Sequence, residues 1–156
     1  MKQKMGPFPT PGAMRQWAAN EVSPMMALKS GEITGNITDA PLGASNVGGK
    51  IQDLWLSCEE SGKDDTNTLS LTVDLKINGT SCMTTAPIIA HVSGEASTNK
   101  TTKVSGDTGV TQAVVDPDAN DLSPGDILTY DMTLTRTASP TTEMRNLAVV
   151  VAFEPT

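Results

Sequence analysis

The sequence predicts an all-β protein, an antiparallel β sandwich of jelly-roll-like kind with an extended arm at its N-terminus. Three observations predict it. From Thr68 to Ile77, Leu69, Leu71, Val73, Leu75 and Ile77 alternate without a break against Thr68, Ser70, Thr72, Asp74 and Lys76, so a period of two puts every apolar group on one face of a strand. Asn78-Gly79 follows at once, and a two-residue type I′ turn needs positive φ at both centres, which this pair supplies. The rest of the body divides into short apolar runs punctuated by Gly, Pro, Asn and Asp, with no convincing helix among them.

Taken in order, residues 1–30 are expected to form a docking arm and residues 31–156 the sandwich. Pro7, Pro9 and Pro11 alternate with Gly6, Phe8, Thr10 and Gly12; prolines fix φ and remove donors, so this stretch is extended. A short helix can follow, with Thr10 as cap, Pro11 at its first position, Met14, Trp17, Ala18 and Val22 on one stripe, and Pro24 closing it. So short a helix is not stable alone in water, and its apolar stripe needs a surface to lie on. Met25, Met26 and Leu28 add further adaptable apolar contacts.

From Gly31 the texture changes. Glu32 to Thr38 is a weak strand, and Asp39 to Gly49, with Pro41, Gly43, Gly48 and Gly49, reads as a loop. Lys50 to Cys58 is a core strand with Leu54, Leu56 and Cys58 inward, and Trp55 on its other face wants a cover. Glu59 to Asn67 is an acidic, solvated turn. After the hairpin, Thr80 to Thr85 returns as a strand, Pro87 ends its pairing and Ile88 to Val92 resumes an apolar run. Ser93 to Gly109 is polar throughout and makes a long surface excursion. Val110 to Val115, Asp126 to Thr137 and the nearly continuous apolar run Leu147 to Phe153 complete the strands, with a turn-rich segment from Asp116 to Asp126 between the first two.

Composition narrows the function classes. One domain is the natural count for 156 residues. With 19% charged side chains the surface is covered mainly by Thr, Ser and Asn, which suits exposed strand faces. A net charge of -7 argues against a generic nucleic-acid or anionic-membrane binder. Its distribution is uneven: Lys2, Lys4, Arg15 and Lys29 against Glu21 make residues 1–30 +3, leaving -10 for the body. No apolar run approaches a membrane span or a signal-peptide core, so a chain made in the cytosol and staying soluble is expected. Cys58 and Cys82, without Cys-x-x-Cys or Cys/His spacing, are expected to be buried thiols, with a single bridge as the alternative.

The order of elements resembles small jelly-roll virion proteins of tailed bacteriophages, and most of all head decoration, or cement, proteins. The residues that carry the resemblance are the strand Lys50 to Cys58, the Lys76-Ile77-Asn78-Gly79-Thr80 strand end, the Leu122-Ser123-Pro124-Gly125-Asp126 lead into the strand to Thr137, the Pro140-Thr141-Thr142-Glu143-Met144 turn and the terminal valine strand, spanning about residues 48 to 154. The resemblance implies a homotrimer on the outer capsid surface of a virion assembled in the host cytoplasm, with the major capsid protein as partner and terminal arms gripping neighbours. The long proline-rich front departs from the family pattern, so no docking residue carries over. Candidate capsid or subunit contacts come instead from the arm itself: Phe8, Met14, Arg15, Trp17, Met25 and Met26.

No catalytic, cofactor or metal residue is expected, and no nucleic acid, membrane or small-molecule partner. His91 is the lone histidine, with no nucleophile elbow or phosphate loop near it, and reads as a satisfied strand residue. Asp116, Asp118 and Asn120 place oxygens as calcium loops do, but Asp121 stands where the loop needs Gly and Ile127 where it needs a bidentate Glu, so an ordinary Asx-rich turn is expected. The sequons at Asn36, Asn78 and Asn99 are incidental without a signal peptide. The expected function is structural decoration of a capsid. The alternatives are a receptor-binding or fibre module of the same virion and a carbohydrate-binding or calcium-dependent β sandwich, both disfavoured by the scarcity of aromatics.

Overall fold

The structure, a computed structural model, describes residues 23–136 and 139–156. Thirteen strands occur there and no helix: β1 (Ser23–Ile33), β2 (Ile37–Ala44), β3 (Gly49–Lys63), β4 (Leu69–Ile77), β5 (Thr80–Ser81), β6 (Met83–Thr85), β7 (Ile88–Ala90), β8 (Lys100–Thr101), β9 (Val110–Thr111), β10 (Val114–Val115), β11 (Asp121–Leu122), β12 (Ile127–Arg136) and β13 (Thr142–Pro155). One sheet, A, has the order β1-β13-β3-β11, with β8 also on β3; the other, B, has the order β2-β12-β4-β7-β9, with β5 on β4; β10 and β6 form a separate pair. Every pairing is antiparallel. β1 to β4 alternate between the two sheets, β12 then lies between β2 and β4 in sheet B, and the last strand lies beside the first. This winding is jelly-roll-like and leaves few long strand edges bare.

The inner faces meet in one core. From β4 come Leu69, Leu71, Val73 and Leu75, from β12 Leu128, Tyr130, Met132 and Leu134, and from sheet A Leu54, Leu56, Cys58, Leu147, Val149 and Val151, all buried. β4 lies between β12 and β7, Leu71 standing opposite Leu134 on one side and Ile89 on the other. The turn after β4 has φ of 50° at Asn78 and 82° at Gly79, the I′ geometry its sequence calls for. β3 needs an irregularity because Ile51 and Leu54, three apart, are both inward. Phe153 of β13 pairs with Ile51 while Ala152 pairs with Asp53. Gln52 is therefore the extra residue of a bulge that turns both apolar groups to the core.

Several expectations are corrected. Residues 23–30, assigned to the arm, are built into β1, so the sandwich includes them and does not begin at Gly31; the expected helix, apart from its closing Pro24, lies outside the described residues. Asp39 to Gly49, read as a loop, contains most of β2, an edge strand in which Pro41 is tolerated because only β12 pairs with it. Glu59 to Lys63, read as part of an acidic turn, prolongs β3 against β13, and Ser61 is fully buried there. The excursion from Ser93 to Gly109 is anchored by β8 and by buried Lys100 and Thr102, with Thr102 Oγ1 accepting from the Leu56 amide at 2.9 Å.

Candidate functional site

The two outer faces of the sandwich differ in chemistry. On sheet B the outward residues of β12 and β4 are hydroxyls and charges, apart from exposed Ile127 at the start of β12. Asp131 stands opposite Asp74, and Lys76 relieves the repulsion by reaching Asp131 at 2.6 Å and Asp39 at 3.0 Å. Both ends of that ion pair respond: the Asp39 amide and Lys76 hold the Asp131 carboxyl below the usual carboxylate range, and Asp131 with Asp39 raises Lys76.

Sheet A instead turns apolar groups outward. Cross-strand register places Met26 of β1 beside Val150 of β13, and Val150 beside Trp55 of β3; the next row runs Leu28, Ala148, Ser57. Met26 is 62% exposed and Leu28 68%, whereas Val150 and Trp55 are half-buried. Exposed single apolar residues are ordinary; here the apolar groups are neighbours across three strands. Lys103, from the excursion, lies with Nζ 4.4 Å from the Trp55 ring centroid and also pairs with Asp53. That cation lies against the indole, while Met26 and Leu28 on β1 stay exposed.

Beside Leu28 the strip runs into a groove of about 360 Å³ lined by Leu28, Lys29, Ser30, Glu59, Asn146 and Leu147. It exists because β1 carries two residues, Ser30 and Gly31, opposite Asn146 alone. Asn146 adopts φ of 52°, accepts a hydrogen bond from the Gly31 amide at 2.7 Å and donates to Glu59. The bulge is thus closed by one side chain, and the groove brings Leu28 and Leu147 together with Lys29, Ser30, Asn146 and the Glu59 carboxylate.

Of the six candidate contact residues, Met26 projects from this outer face, and Met25, one residue earlier, turns inward and packs against the core. Phe8, Met14, Arg15 and Trp17 lie outside the described residues. Val150 and Ala148 had not been singled out. The signal was present, since a strand as uniformly apolar as Leu147 to Phe153 in a two-layer sandwich must turn some apolar groups away from the core.

His91 is nearly fully buried at its side chain, with Nε2 3.0 Å from Asp65 Oδ1, and among the described residues its Nδ1 has no hydrogen-bond partner and no hydroxyl or thiol is linked to it. Asp65 also accepts from the Gly94 amide at 2.8 Å. That backbone bond, then His91 and Lys63, pull its carboxyl from 3.8 down to about 2. The carboxyl binds its proton more weakly in the folded chain, so its contribution is complete above about pH 4 and disappears as pH falls toward 2. The thermal midpoint should therefore drop steeply between pH 4 and pH 2, and Asp65→Asn should flatten that drop. An equal slope in wild type and variant would remove Asp65 from the acid response.

Asp116, Asp118, Asn120 and Asp121 diverge instead of converging. Asp116 Oδ1 accepts from the Asp118 amide at 2.9 Å, Asn120 Nδ2 donates to the Ile51 carbonyl at 2.9 Å, and Asp121 pairs with Lys50 at 2.6 Å. Cys58 and Cys82 are both free and buried, and burial, helped by Asp74, pushes the Cys82 thiol up to about 12. Such a thiol is almost wholly protonated and unreactive at neutral pH.

Comparison with protein-family models, with curated proteins and with solved structures finds no match.

Proposed function

We propose that this chain is a structural protein that decorates the outer surface of a tailed-bacteriophage capsid, binding the major capsid protein as a homotrimer through its N-terminal segment and sheet A. The observation that carries the reading is the outward apolar strip Met26, Val150, Trp55 with Leu28 beside it, at the sheet edge where residues 1–22 join the sandwich. Apolar side chains on three neighbouring strands suit docking on a protein surface better than binding a small polar ligand. The resemblance of residues 48 to 154 to head decoration proteins supplies the kind of partner, and the basic balance of residues 1–30 would steer them to an acidic surface.

Electron cryo-microscopy of purified particles tests the reading by locating the chain. Density on the shell is expected. Density at the tail tip would favour a receptor-binding module, and absence from the particle would end the proposal. On the shell, Met26→Asp should weaken attachment by about 2 kcal/mol, the loss typical of an anchoring side chain. Undiminished occupancy of that variant would move the contact elsewhere.

A further inference from the structure

We propose that Asn78 is a site of spontaneous covalent modification, ageing through a succinimide to aspartate and isoaspartate, and that its hydrogen bond to Asp126 sets the pace. The turn after β4 supplies the reacting groups. Asn78 is the one asparagine in the chain with glycine next to it, and the nitrogen of Gly79 has no side chain beside it to block its approach. Both residues are exposed. A methyl group at Gly79 would meet nothing within 4 Å, so a ring closed between the two residues has open space around it.

The chemistry needs only water. The Gly79 nitrogen gives up its proton to solvent base and bonds to Asn78 Cγ, the Cγ–Nδ2 bond breaks, and ammonia leaves. Water then opens the ring at either carbonyl, yielding aspartate or an isoaspartate whose backbone runs through Cγ. To close the ring the carboxamide has to turn toward its own chain, and in the folded protein it is held from two sides. Its Oδ1 accepts from the Ile127 amide at 2.9 Å, and its Nδ2 donates to Asp126 Oδ1 at 2.8 Å. The Asn78 amide donates in turn to the Ile127 carbonyl at 2.8 Å, so backbone and side chain grip the same residue.

Asp126 is itself fixed, its Oδ2 accepting from the Ser123 amide at 2.7 Å. The bond from Asn78 Nδ2 is therefore charge-assisted and aimed at a carboxylate that does not swing away. Conversion reverses that contact. An oxygen replaces Nδ2, and two carboxylates then face each other where a donor met an acceptor. Isoaspartate also adds a backbone methylene to a turn whose two residues fit the pairing of Ile77 with Thr80. Either product loosens the β4–β5 turn from the start of β12, and the chain gains a negative charge at that corner as it ages. The inference concerns the isolated protein and stands whether or not the partner is a capsid.

Full-length protein incubated in mildly alkaline buffer, sampled over weeks, digested and mapped by mass spectrometry tests this. Amide-to-acid conversion should appear at Asn78 ahead of every other asparagine, with isoaspartate among the products. Asp126→Ala, its folding checked by circular dichroism, should convert about tenfold faster, the factor for losing one charge-assisted hydrogen bond. Wild type in guanidinium chloride, where the carboxamide is free, gives the same comparison without a substitution and should also convert about tenfold faster than the native protein. Conversion that begins at another asparagine overturns the site. Equal rates in wild type and folded Asp126→Ala, or in native and denatured wild type, overturn the restraint.

Discussion

Replacing Leu71 by alanine should lower the stability of the sandwich by about 2–5 kcal/mol, the range for deleting most of a buried leucine side chain from a core that relaxes only in part. Leu71 is 0% exposed and central in β4, with Leu134 beside it on β12 and Ile89 on β7. Strands on both sides fix the backbone, so little collapse into the gap is possible and the upper half of the range is expected. Urea denaturation measures it: the midpoint should fall with the slope unchanged. A midpoint shift worth under about 1 kcal/mol would mean that Leu71 is not packed between the sheets.

Lys100→Met should be almost as damaging, at about 3 kcal/mol, for a different reason. Lys100 is 5% exposed. Its three donors are all used, on the Thr108 carbonyl at 2.7 Å, the Glu95 carboxylate at 2.8 Å and the Ala90 carbonyl at 3.0 Å. Methionine matches the stem in size but strands two carbonyls and a carboxylate. The effect should be local first. Hydrogen exchange at Ala90, whose amide bonds to the Gly109 carbonyl, should accelerate more than at Leu71. Lys100→Arg should not restore stability, because a planar guanidinium cannot reproduce the ammonium's three directions in the same space. Uniform acceleration across the sandwich would show that the ammonium holds the whole fold and not one corner.

The contrast between Leu71 and Lys100 shows what the amino-acid order reveals. β4 and its Asn78-Gly79 turn, and β12, are legible because one face is buried and the other wet, so hydrophobicity alternates with the backbone. β1 is not legible. Met25 and Ala27 face the core while Met26 and Leu28 face outward, so both faces are apolar and no period of two appears. Pro24 and Pro41 then suggest interruption, although edge strands tolerate them. The acidic end of β3 and the anchoring role of Lys100 are hidden for another reason. Glu60 stands opposite Arg145 across β3 and β13, and Lys100 bonds to carbonyls on either side of it, and neither placement leaves a local pattern. Of the candidate site, the outward Trp55 could be read from sequence, whereas Met25 and Met26 look alike there and only the structure tells the inward one from the outward. That Trp55 and Met26 lie in one strip follows only from the register through Val150.

That register also bears on how the chain acquires its shape during synthesis. β13 is the strand between β1 and β3, pairing with both, so two early strands of sheet A wait for the last strand of the described chain. Translation at about 5–20 residues per second leaves β1 without its neighbour for about ten seconds. Sheet B can begin sooner, since β4 and β7 emerge close together. Through that interval the nascent chain presents Met25, Met26 and Leu28 beside an unpaired backbone, the kind of segment that joins the wrong partner when polypeptides are crowded. A ribosome that stalls before Leu147 would release a product with sheet A split down its middle, and such fragments should be found in aggregates or bound to chaperones.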